Sequence, residues 1–449
     1  MKLGALLVAL LVARGAVAQT PVPDDVVANV RARIAAGYSV GIVVGIVDSA
    51  GARYDAAGTT ALSGGQPVNE RSMYEIGSIT KVFTALSLAE MVRHGEVALD
   101  DPVERLLPDG WAVPSRNGKE ITLRLLSAQR SGLPRMPGNF APRDPQNPYA
   151  DYDGALLSEF LRGHTLTRDP GERYEYSNLG VGLLGFALAL RGHESYEAMV
   201  TRRVLAPLRM NSTMVTLTAD ARSRLAHGHN GGQEAANWDI DALAGAGALR
   251  SDAVDMTTFL AAAMGLRSTP LDSAFALTEQ TQFDAGSPSM DIGLGWHIWK
   301  RPTMRIIWHN GGTGGYRTFI GFDPARKVGV VVLSNSSQSA DDIGLHTLDP
   351  TMPLVVPRVA IPMTADALEA YVGRFDLSPS FALTITRDGD VLRAQATDQP
   401  RFRLWPSAPN EFFLREVDAQ VSFVRDSTGR VASLVLHQNG RNMPAPRAP

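Results

Sequence analysis

Strand-like runs stand at both ends of the first 345 residues, and the sequence between them is mostly helical. Residues 40–47 form a continuous run rich in β-branched side chains, which is typical of a buried strand. Three further strand patterns come after the helical stretch, at 304–308, 318–322 and 328–333. Strands this far apart in the chain predict an α/β domain, in which one sheet is flanked by helices and an all-helical lobe packs against it.

A second, smaller unit is predicted at the C-terminus. Prolines punctuate residues 346–363, which indicates a linker rather than a long helix. In residues 364–449 a short helix is followed by strand candidates that alternate with turns. This pattern predicts a small antiparallel β domain, a partial or closed barrel, without any catalytic motif.

The N-terminus has the pattern of a signal peptide in residues 1–18. Lys2 precedes an apolar run at 3–12, and Ala16-Val17-Ala18 is a small-x-small cleavage site. We expect cleavage after Ala18 and an exported protein, periplasmic or secreted; an ordinary N-terminal helix is the alternative. No later stretch is long and apolar enough for a transmembrane anchor.

Composition excludes several classes of function. The chain has no Cys, which excludes disulfides, thiolate metal sites and a cysteine nucleophile. A formal net charge of -3 gives no electrostatic reason to expect binding to nucleic acid or to an anionic membrane surface.

The first chemical motif is Ser78-Ile79-Thr80-Lys81, at the start of a helix predicted over residues 78–94. Free backbone N–H groups at a helix N-terminus stabilise developing negative charge. Lys81 lies on the same face as Ser78, and a desolvated lysine can be neutral enough to take the serine proton. Alternatively, Ser78 is a simple helix cap and Lys81 is solvated; the almost entirely apolar helix that follows favours a buried site.

The second motif is Tyr176-Ser177-Asn178, in a loop between Pro170-Gly171 and Gly180. A phenol near a cation can pass a proton to a leaving group, and an amide can fix a substrate carbonyl. The alternative is an ordinary turn in which Asn178 caps the next helix.

The third motif is His309-Asn310-Gly311, which ends a strand pattern and continues as Gly312-Thr313. Glycines let a substrate approach the strand edge, and the Gly312 N–H could pair with that of Ser78 as an oxyanion hole. Unlike a lysine, His309 carries a positive charge only while it is protonated.

Two other stretches imitate such motifs. His229-Asn230-Gly231-Gly232 repeats the third motif in a polar loop, and we assign His229 to structure or surface. Gly37-Tyr38-Ser39-Val40-Gly41 matches a G-x-S-x-G nucleophile elbow, but that elbow needs a strand before it and a helix after it. Here the order is reversed, so Ser39 is expected to enter the first strand. An α/β-hydrolase esterase that uses Ser39 is kept as an alternative.

With these motifs in place, residues 25–345 resemble the class C β-lactamase and low-molecular-weight penicillin-binding-protein family of serine hydrolases. Six further segments carry the resemblance: Leu99-Asp100-Asp101-Pro102-Val103, Ile121-Thr122-Leu123-Arg124, Ser131-Gly132-Leu133-Pro134, Tyr176 through Gly185, Pro207-Leu208-Arg209-Met210 and Gly293-Leu294-Gly295-Trp296. The resemblance implies a β-lactamase/transpeptidase-like antiparallel sheet flanked by helices. Residues 364–449 are similar to the lipocalin-like C-terminal domain of some members.

The resemblance also implies roles for the motif residues. Ser78 is the expected acylated nucleophile, while Lys81 and Tyr176 share the acid and base work. Asn178 is expected to bind the substrate amide, with Gly311 and Gly312 at the substrate-binding strand. His309 and Asn310 stand where many members have Lys-Thr.

The expected function is hydrolysis of an amide or ester through an acyl-Ser78 intermediate, without a metal or organic cofactor. The substrate is expected to be a small or peptidoglycan-derived molecule: a β-lactam, a D-amino-acid peptide such as that of a D-alanyl-D-alanine carboxypeptidase, or a small ester. His309 in place of Lys favours small esters and D-amino-acid peptides over β-lactams, and Arg317 is a candidate anchor for a substrate carboxylate. The alternative from another class is a penicillin-binding sensor that acylates with little turnover. Gln129 and Arg130 replace the usual His-Thr, and the sequence offers no reason for the change.

Overall fold

A computed structural model describes residues 21–415, 419–438 and 440–448 of the chain. The predicted signal peptide lies outside these residues. Among the residues described, every helix is too short or too polar to cross a lipid bilayer.

The larger domain combines one large sheet with many short helices. Its helices are α1 (Asp24–Ala35), α2 (Thr80–Arg93), α3 (Leu123–Ser127), α4 (Gly154–Gly163), α5 (Asn178–Arg191), α6 (Tyr196–Val200), α7 (Ala206–Leu208), α8 (Ala219–Ser223), α9 (Ala253–Ala263), α10 (Asp272–Thr278) and α11 (Asp341–Leu348). Single helical turns occupy Gly77–Ile79, Val103–Leu106, Thr201–Leu205 and Ala244–Ala246. Its strands are β1 (Gly41–Asp48), β2 (Gly51–Gly58), β3 (Tyr74–Glu75), β4 (Gly228–Asn230), β5 (Gln233–Ala235), β6 (Arg250–Ser251), β7 (Phe283–Ser287), β8 (Met290–Ile292), β9 (His297–Lys300), β10 (Arg305–Gly312), β11 (Arg317–Asp323) and β12 (Val328–Ser334).

The main sheet is eight-stranded in the order β2-β1-β12-β11-β10-β9-β8-β7, and its pairings are antiparallel. Strand β1 from the start of the domain pairs with β12 from its end, with Val44 opposite Val332. The predicted fold is therefore confirmed, and the strands predicted from sequence are β1, β10, β11 and β12. Strand β2 escaped prediction because its Gly- and Ala-rich, half-buried sequence lacks a period-two apolar pattern.

Helices cover both faces of this sheet. Alternate side chains of β1 point to opposite faces, so Ile42 and Val44 pack with α1 and α11, whereas Val43 and Val47 join the core formed with α2 and α9. Helix α2 is buried along almost its whole length, from Thr80 to Ala89. A helix that is apolar on all sides belongs in the interior. This places the start of α2, and with it Ser78, between the sheet and the helical lobe.

The C-terminal domain is a nearly closed antiparallel barrel. It consists of α12 (Ala365–Glu369), β13 (Gly373–Ser378), β14 (Phe381–Asp388), β15 (Val391–Ala396), β16 (Arg401–Ala408), β17 (Glu411–Phe413), β18 (Ala419–Arg425), β19 (Val431–Gln438) and β20 (Arg441–Pro446), each strand paired with the next. A bridge between Phe375 and Arg447 brings the first and last strands together. The interior is filled by side chains, including an aromatic cluster of Tyr371, Phe375, Phe412 and Phe423.

One boundary and three barrel strands differ from the sequence prediction. Helix α11 extends to Leu348, so the connection between the domains begins three residues later than position 346. Strands β13, β16 and β20 were not predicted; β16 and β20 contain proline, which removes a ladder donor. The register of β16 shifts next to Pro406, which accommodates the missing N–H.

The two domains are joined by direct contacts at the end of α1. Arg415 of the barrel donates hydrogen bonds to the carbonyl of Gly37 (2.9 Å) and to that of Ala36. The Tyr38 ring stacks on that of Phe413, with centroids 6.3 Å apart. The barrel therefore binds the carbonyl groups of the two residues that follow α1.

Candidate active site

Ser78 lies in the helical turn Gly77–Ile79 that leads into α2. The first backbone N–H groups of a helix have no partner within it, so those at Ser78 face the space beyond the helix. Gly77 has φ +51°, and a Cβ on it would come within 2.7 Å of the Gly312 backbone nitrogen. Only glycine permits this close approach between the Ser78 turn and β10.

Lys81 is fully buried, and its side-chain nitrogen makes three contacts. Nζ lies 2.9 Å from Ser78 Oγ, 2.9 Å from Asn178 Oδ1 and 2.7 Å from the Ala246 carbonyl oxygen. Burial, with a smaller contribution from the positive charge of Arg135, lowers the pKa of Lys81 well below its usual value. A neutral amine has two hydrogens and one lone pair. The two oxygens that can only accept take the hydrogens, which leaves the lone pair for the Ser78 hydroxyl.

Asn178 is the first residue of α5, and Ser177 is its cap. Ser177 Oγ accepts the Gly180 N–H at 2.8 Å, so the expected alternative, capping by the Asn178 side chain, is wrong. The amide nitrogen of Asn178 instead contacts Met136 Sδ at 3.7 Å and the Tyr149 hydroxyl at 3.4 Å. Its oxygen is held by Lys81, and the whole side chain faces the Ser78 site.

Tyr176 lies beside Ser78, near the Lys81 amine and the Arg135 guanidinium. Lys81 Nζ is 4.9 Å and Arg135 Cζ 5.1 Å from the centre of its ring. Burial raises the pKa of Tyr176, and a hydrogen bond with Ser78 only partly offsets this. Tyr176 therefore remains a protonated phenol and is suited to be a proton donor rather than a base.

The register of β10 directs the backbone of Gly312 toward Ser78. The Thr313 N–H donates to the Tyr316 carbonyl, so odd-numbered residues of β10 bond to β11 and even-numbered residues bond to the β9 side. Strand β9 begins at His297, which pairs with Trp308, so β9 does not extend alongside the last residues of β10. Beyond that point the backbone groups of Asn310 and Gly312 face the Ser78 turn, as an oxyanion hole requires.

His309 lies on the site-facing side of β10 and is neutral. Its Nδ1 donates to the Asn310 carbonyl at 2.6 Å, and its ring is 6.3 Å from that of Tyr176 and 5.0 Å from that of His297. Burial lowers the pKa of His309 well below its usual value, and the neighbouring His297 and Lys81 lower it further. His309 thus offers no positive charge to a substrate near neutral pH.

Asn310 and Arg317 are engaged with other protein groups. The Asn310 amide nitrogen donates to Asp341 of α11 at 2.6 Å. Arg317 Nη1 donates to the carbonyl oxygens of Thr313 (3.0 Å) and Tyr316 (2.9 Å) in its own turn. Burial lowers the pKa of Arg317, although the charge of Asp341 opposes this. Both residues line the cleft, but their polar groups already have partners.

The structure gives a role to Gln129, which with Arg130 stands in place of the usual His-Thr. It is buried, and its side-chain oxygen accepts the Ser177 N–H at 2.7 Å, while its backbone carbonyl accepts the Glu175 N–H at 2.8 Å. These two bonds hold the segment on either side of Tyr176. Arg130 stacks on Phe283, with Cζ 4.8 Å from the ring centre. Sequence reasoning missed this role because the partners are far apart in the chain.

We expect Gln129→Met to lower kcat about tenfold and the free energy of unfolding by about 1–3 kcal/mol, since it keeps the side-chain size but leaves the Ser177 N–H buried without an acceptor. Arg130→Met is the matched control, because its side chain contacts Phe283 and the Glu172 carbonyl but neither Glu175 nor Ser177. Steady-state kinetics and urea unfolding measure both effects. Equal kcat losses in the two variants would contradict a specific role for Gln129.

Two pockets meet at Ser78. The narrow pocket, about 20 Å³, is lined by Tyr149, Asn178, Trp238 and Ile240. The wide pocket, about 470 Å³, is lined by Arg135, Tyr176, His297, Arg317 and Thr313. Ser78, Trp238, Gly312 and Thr313 border both pockets, so an acyl group attached to Ser78 has a small space on one side and a larger space on the other.

The two stretches that imitate the catalytic motifs, around Ser39 and His229, lie outside the Ser78 site. Ser39 and His229 line a separate cavity of about 260 Å³ next to the barrel, to which Ser78 does not contribute. Ser39 Oγ accepts a hydrogen bond from Ser334 Oγ at 3.4 Å, and His229 Nδ1 donates to the Asn335 carbonyl at 3.1 Å. Within the described part of the chain, Ser39 has no hydrogen bond to a histidine. Helix α1 precedes Ser39 and strand β1 follows it, the reverse of a nucleophile elbow.

Comparison with known proteins places this arrangement in a family. The family model described as beta-lactamase matches residues 26–349, and a model described as a domain of unknown function (DUF3471) matches residues 357–445. Over 417 residues the chain is 26% identical to Penicillin-binding protein 4* of Bacillus subtilis (strain 168), covering 85% of this chain and 89% of that protein. It is 30% identical over 309 residues to D-alanyl-D-alanine-carboxypeptidase/endopeptidase AmpH of Escherichia coli (strain K12), covering 64% of this chain and 79% of that protein.

Solved structures agree on the fold. The class C beta lactamase from Rhodobacter sphaeroides superposes with a TM-score of 0.61 at 24% identity, over 70% of this chain and 94% of that structure. At this identity the likeness concerns the fold alone, whereas the family match spans the larger domain from α1 through α11. The chain belongs to the beta-lactamase family and is a serine hydrolase of that family.

Proposed function

We propose that the protein hydrolyses amides or esters with small acyl groups, and that Ser78 forms the acyl-enzyme. The observation that supports this most directly is the contact between Lys81 Nζ and Ser78 Oγ at 2.9 Å, in a setting that keeps the amine neutral. Lys81 takes the proton as Ser78 Oγ attacks the substrate carbonyl. The resulting ammonium then has three acceptors around it, so the charged state is also satisfied.

In the next step the tetrahedral intermediate collapses. Its oxyanion is bound by the backbone N–H groups of Ser78 and Gly312. The Tyr176 hydroxyl gives its proton to the leaving amine or alkoxide as the C–N or C–O bond breaks, and the Lys81 ammonium then gives its extra proton to the resulting Tyr176 phenolate. A water molecule then attacks the acyl carbon, a proton returns to Ser78, and the free acid leaves.

The two pockets divide the substrate between them. Since Tyr176 lines the wide pocket, the leaving group that it protonates belongs there, and the acyl group occupies the narrow pocket beside Asn178. Tyr149 and Trp238 stand with ring centres 5.2 Å apart and restrict that pocket. This geometry supports short acyl groups, such as acetyl or a D-amino-acyl residue, over the bulky side chains of many β-lactams.

Shortening Trp238 tests the size limit. We expect Trp238→Ala to raise the kcat/KM ratio of p-nitrophenyl hexanoate over p-nitrophenyl acetate about tenfold, because the removed ring makes room for roughly two or more further methylene groups. Trp299→Ala, a tryptophan outside both pockets, is the control and should leave the ratio unchanged. An unaltered ratio in Trp238→Ala would place the acyl group elsewhere.

The relatives named a carboxypeptidase/endopeptidase and a beta-lactamase suggest D-Ala-ending peptides and β-lactams as further substrates to test on this chain. We expect easier turnover of small esters and D-amino-acid peptides than of β-lactams. A panel of nitrocefin, a p-nitrophenyl ester and a D-Ala-D-Ala peptide ranks the three. Multiple turnovers of any of them support an enzyme, whereas one stoichiometric burst with all three supports the sensor alternative.

We further propose that the protein is exported to the periplasm or the medium after cleavage behind Ala18. The support is the apolar run with its small-x-small site, and a peptidoglycan-related substrate would be met in that compartment. The N-terminal sequence of the exported protein should then begin at Gln19; an intact Met1 would contradict export by this route.

A further inference from the structure

Several basic side chains line the wide pocket or lie next to its Ser78 and Tyr176, and among the described residues all but one are neutral or already paired. Lys81 has three acceptors, while burial lowers the pKa of His309 well below its usual value and that of His297 to about 4. Arg317 donates to the carbonyl groups of its own turn and lies near the Asp341 carboxylate. These groups leave little positive charge for a substrate.

Arg135 is the exception. Its guanidinium is exposed at the rim of the wide pocket, and within the described residues it makes no ion pair and no side-chain hydrogen bond. Its position is nevertheless defined. The Arg135 carbonyl accepts the N–H groups of Asn178 (3.0 Å) and Leu179 (3.2 Å), and its Cζ lies over the Tyr176 ring, 5.1 Å from the ring centre. A guanidinium carries its N–H donors along its planar edge, so contact with a ring face does not use them up.

We propose that Arg135 binds an anionic group on the leaving-group side of the substrate, and so selects acyl donors whose leaving group carries a carboxylate. The inference rests on the proposed function and refines its substrate class. A guanidinium pairs with a carboxylate through two parallel N–H···O bonds, which fixes orientation as well as charge. Bound in this way next to the Tyr176 ring, the leaving group is held beside the phenol that protonates it.

The assignment moves the expected carboxylate anchor from Arg317 to Arg135. Arg317 would have to give up its bonds to Thr313 and Tyr316 before it could form a bidentate pair, whereas Arg135 has nothing to break. Sequence reasoning overlooked Arg135 because it directly follows Ser131-Gly132-Leu133-Pro134, a segment noted only for the family resemblance.

Two esters with the same acetyl group provide the test: 3-(acetyloxy)benzoate, which is anionic at neutral pH, and its methyl ester, which is neutral. We expect the wild type to prefer the anionic ester, and Arg135→Gln to lower the anionic-to-neutral ratio of kcat/KM about tenfold or more. Arg135→Lys should retain part of the preference, because the charge remains but the bidentate geometry is lost. Arg317→Gln, the matched control, should lower the ratio less than Arg135→Gln.

Salt supplies an independent readout. Raising the ionic strength should reduce the preference of the wild type and have little effect on that of Arg135→Gln. A ratio that is unchanged in Arg135→Gln, or a larger loss in Arg317→Gln, would overturn the assignment. Equal losses on both esters would also overturn it, since Arg135 would then only position Tyr176. Absence of Ser78-dependent turnover of either ester is a different result, because it refutes the proposed function itself.

Discussion

Ser78→Ala is expected to abolish covalent labelling by a fluorophosphonate or a fluorescent penicillin and to lower kcat by about 10³-fold or more. The side chain that forms the acyl-enzyme is then missing, and only binding and the oxyanion hole remain to assist direct attack by water. The substitution removes a single oxygen from a partly exposed side chain at the border of two pockets, so the fold should stay intact. Gel fluorescence of the labelled protein and initial rates with a p-nitrophenyl ester measure the two effects.

Ser39→Ala is the matched control for this prediction. Ser39 is buried, and its hydroxyl accepts a hydrogen bond from Ser334 rather than contacting Lys81 or Ser78. Both labelling and turnover should therefore stay near the wild-type values. A Ser39→Ala variant that loses labelling, together with an active Ser78→Ala variant, would overturn the assignment in favour of the esterase alternative.

Lys81→Arg is expected to cost about 10³-fold or more in kcat, even though it keeps a long cationic side chain. A guanidinium stays protonated at every accessible pH, so it cannot accept the Ser78 proton. Lys119→Arg, at a lysine whose side chain is 59% exposed, is the matched control and should remain active. Equal activity of Lys81→Arg and the wild type would exclude a base role for Lys81.

The pH profile of the wild type follows from the same lysine. Because burial lowers the pKa of Lys81, its neutral form persists well below the pH at which an exposed lysine would protonate. We expect kcat to be maintained through neutral pH and to fall only as the pH drops through that lowered pKa. Lys81→Arg should show no recovery of kcat as the pH rises.

Much of the site could be predicted because its parts lie in short local motifs. Ser78 and Lys81 are one helical turn apart, and Tyr176 and Asn178 are two residues apart where a loop enters α5, so each relation depends on local geometry alone. The fold could be predicted because β1 and β10–β12 have strong apolar patterns. These are signals that a sequence displays directly.

The remainder depends on tertiary contacts. Whether His309 is charged is decided by burial and by the rings of His297 and Tyr176, none of which its sequence neighbours reveal. Arg317 looked available as an anchor, yet the turn that precedes β11 supplies acceptors for it. Gln129 acts on a loop more than forty residues away through a hydrogen bond to Ser177. Such pairings follow from the packed structure, not from spacing in the chain.

Identification of the acylated residue is the most direct test of Ser78 as the nucleophile. The wild type is trapped with a slowly hydrolysed fluorophosphonate, digested with trypsin and sequenced by tandem mass spectrometry. Cleavage after Arg71 and Lys81 gives a peptide from Ser72 to Lys81, and the adduct is expected on Ser78 within it. An adduct on Ser39, in the peptide from Ile34 to Arg53, or an unmodified Ser78 in a protein that has lost its activity, would contradict the central claim.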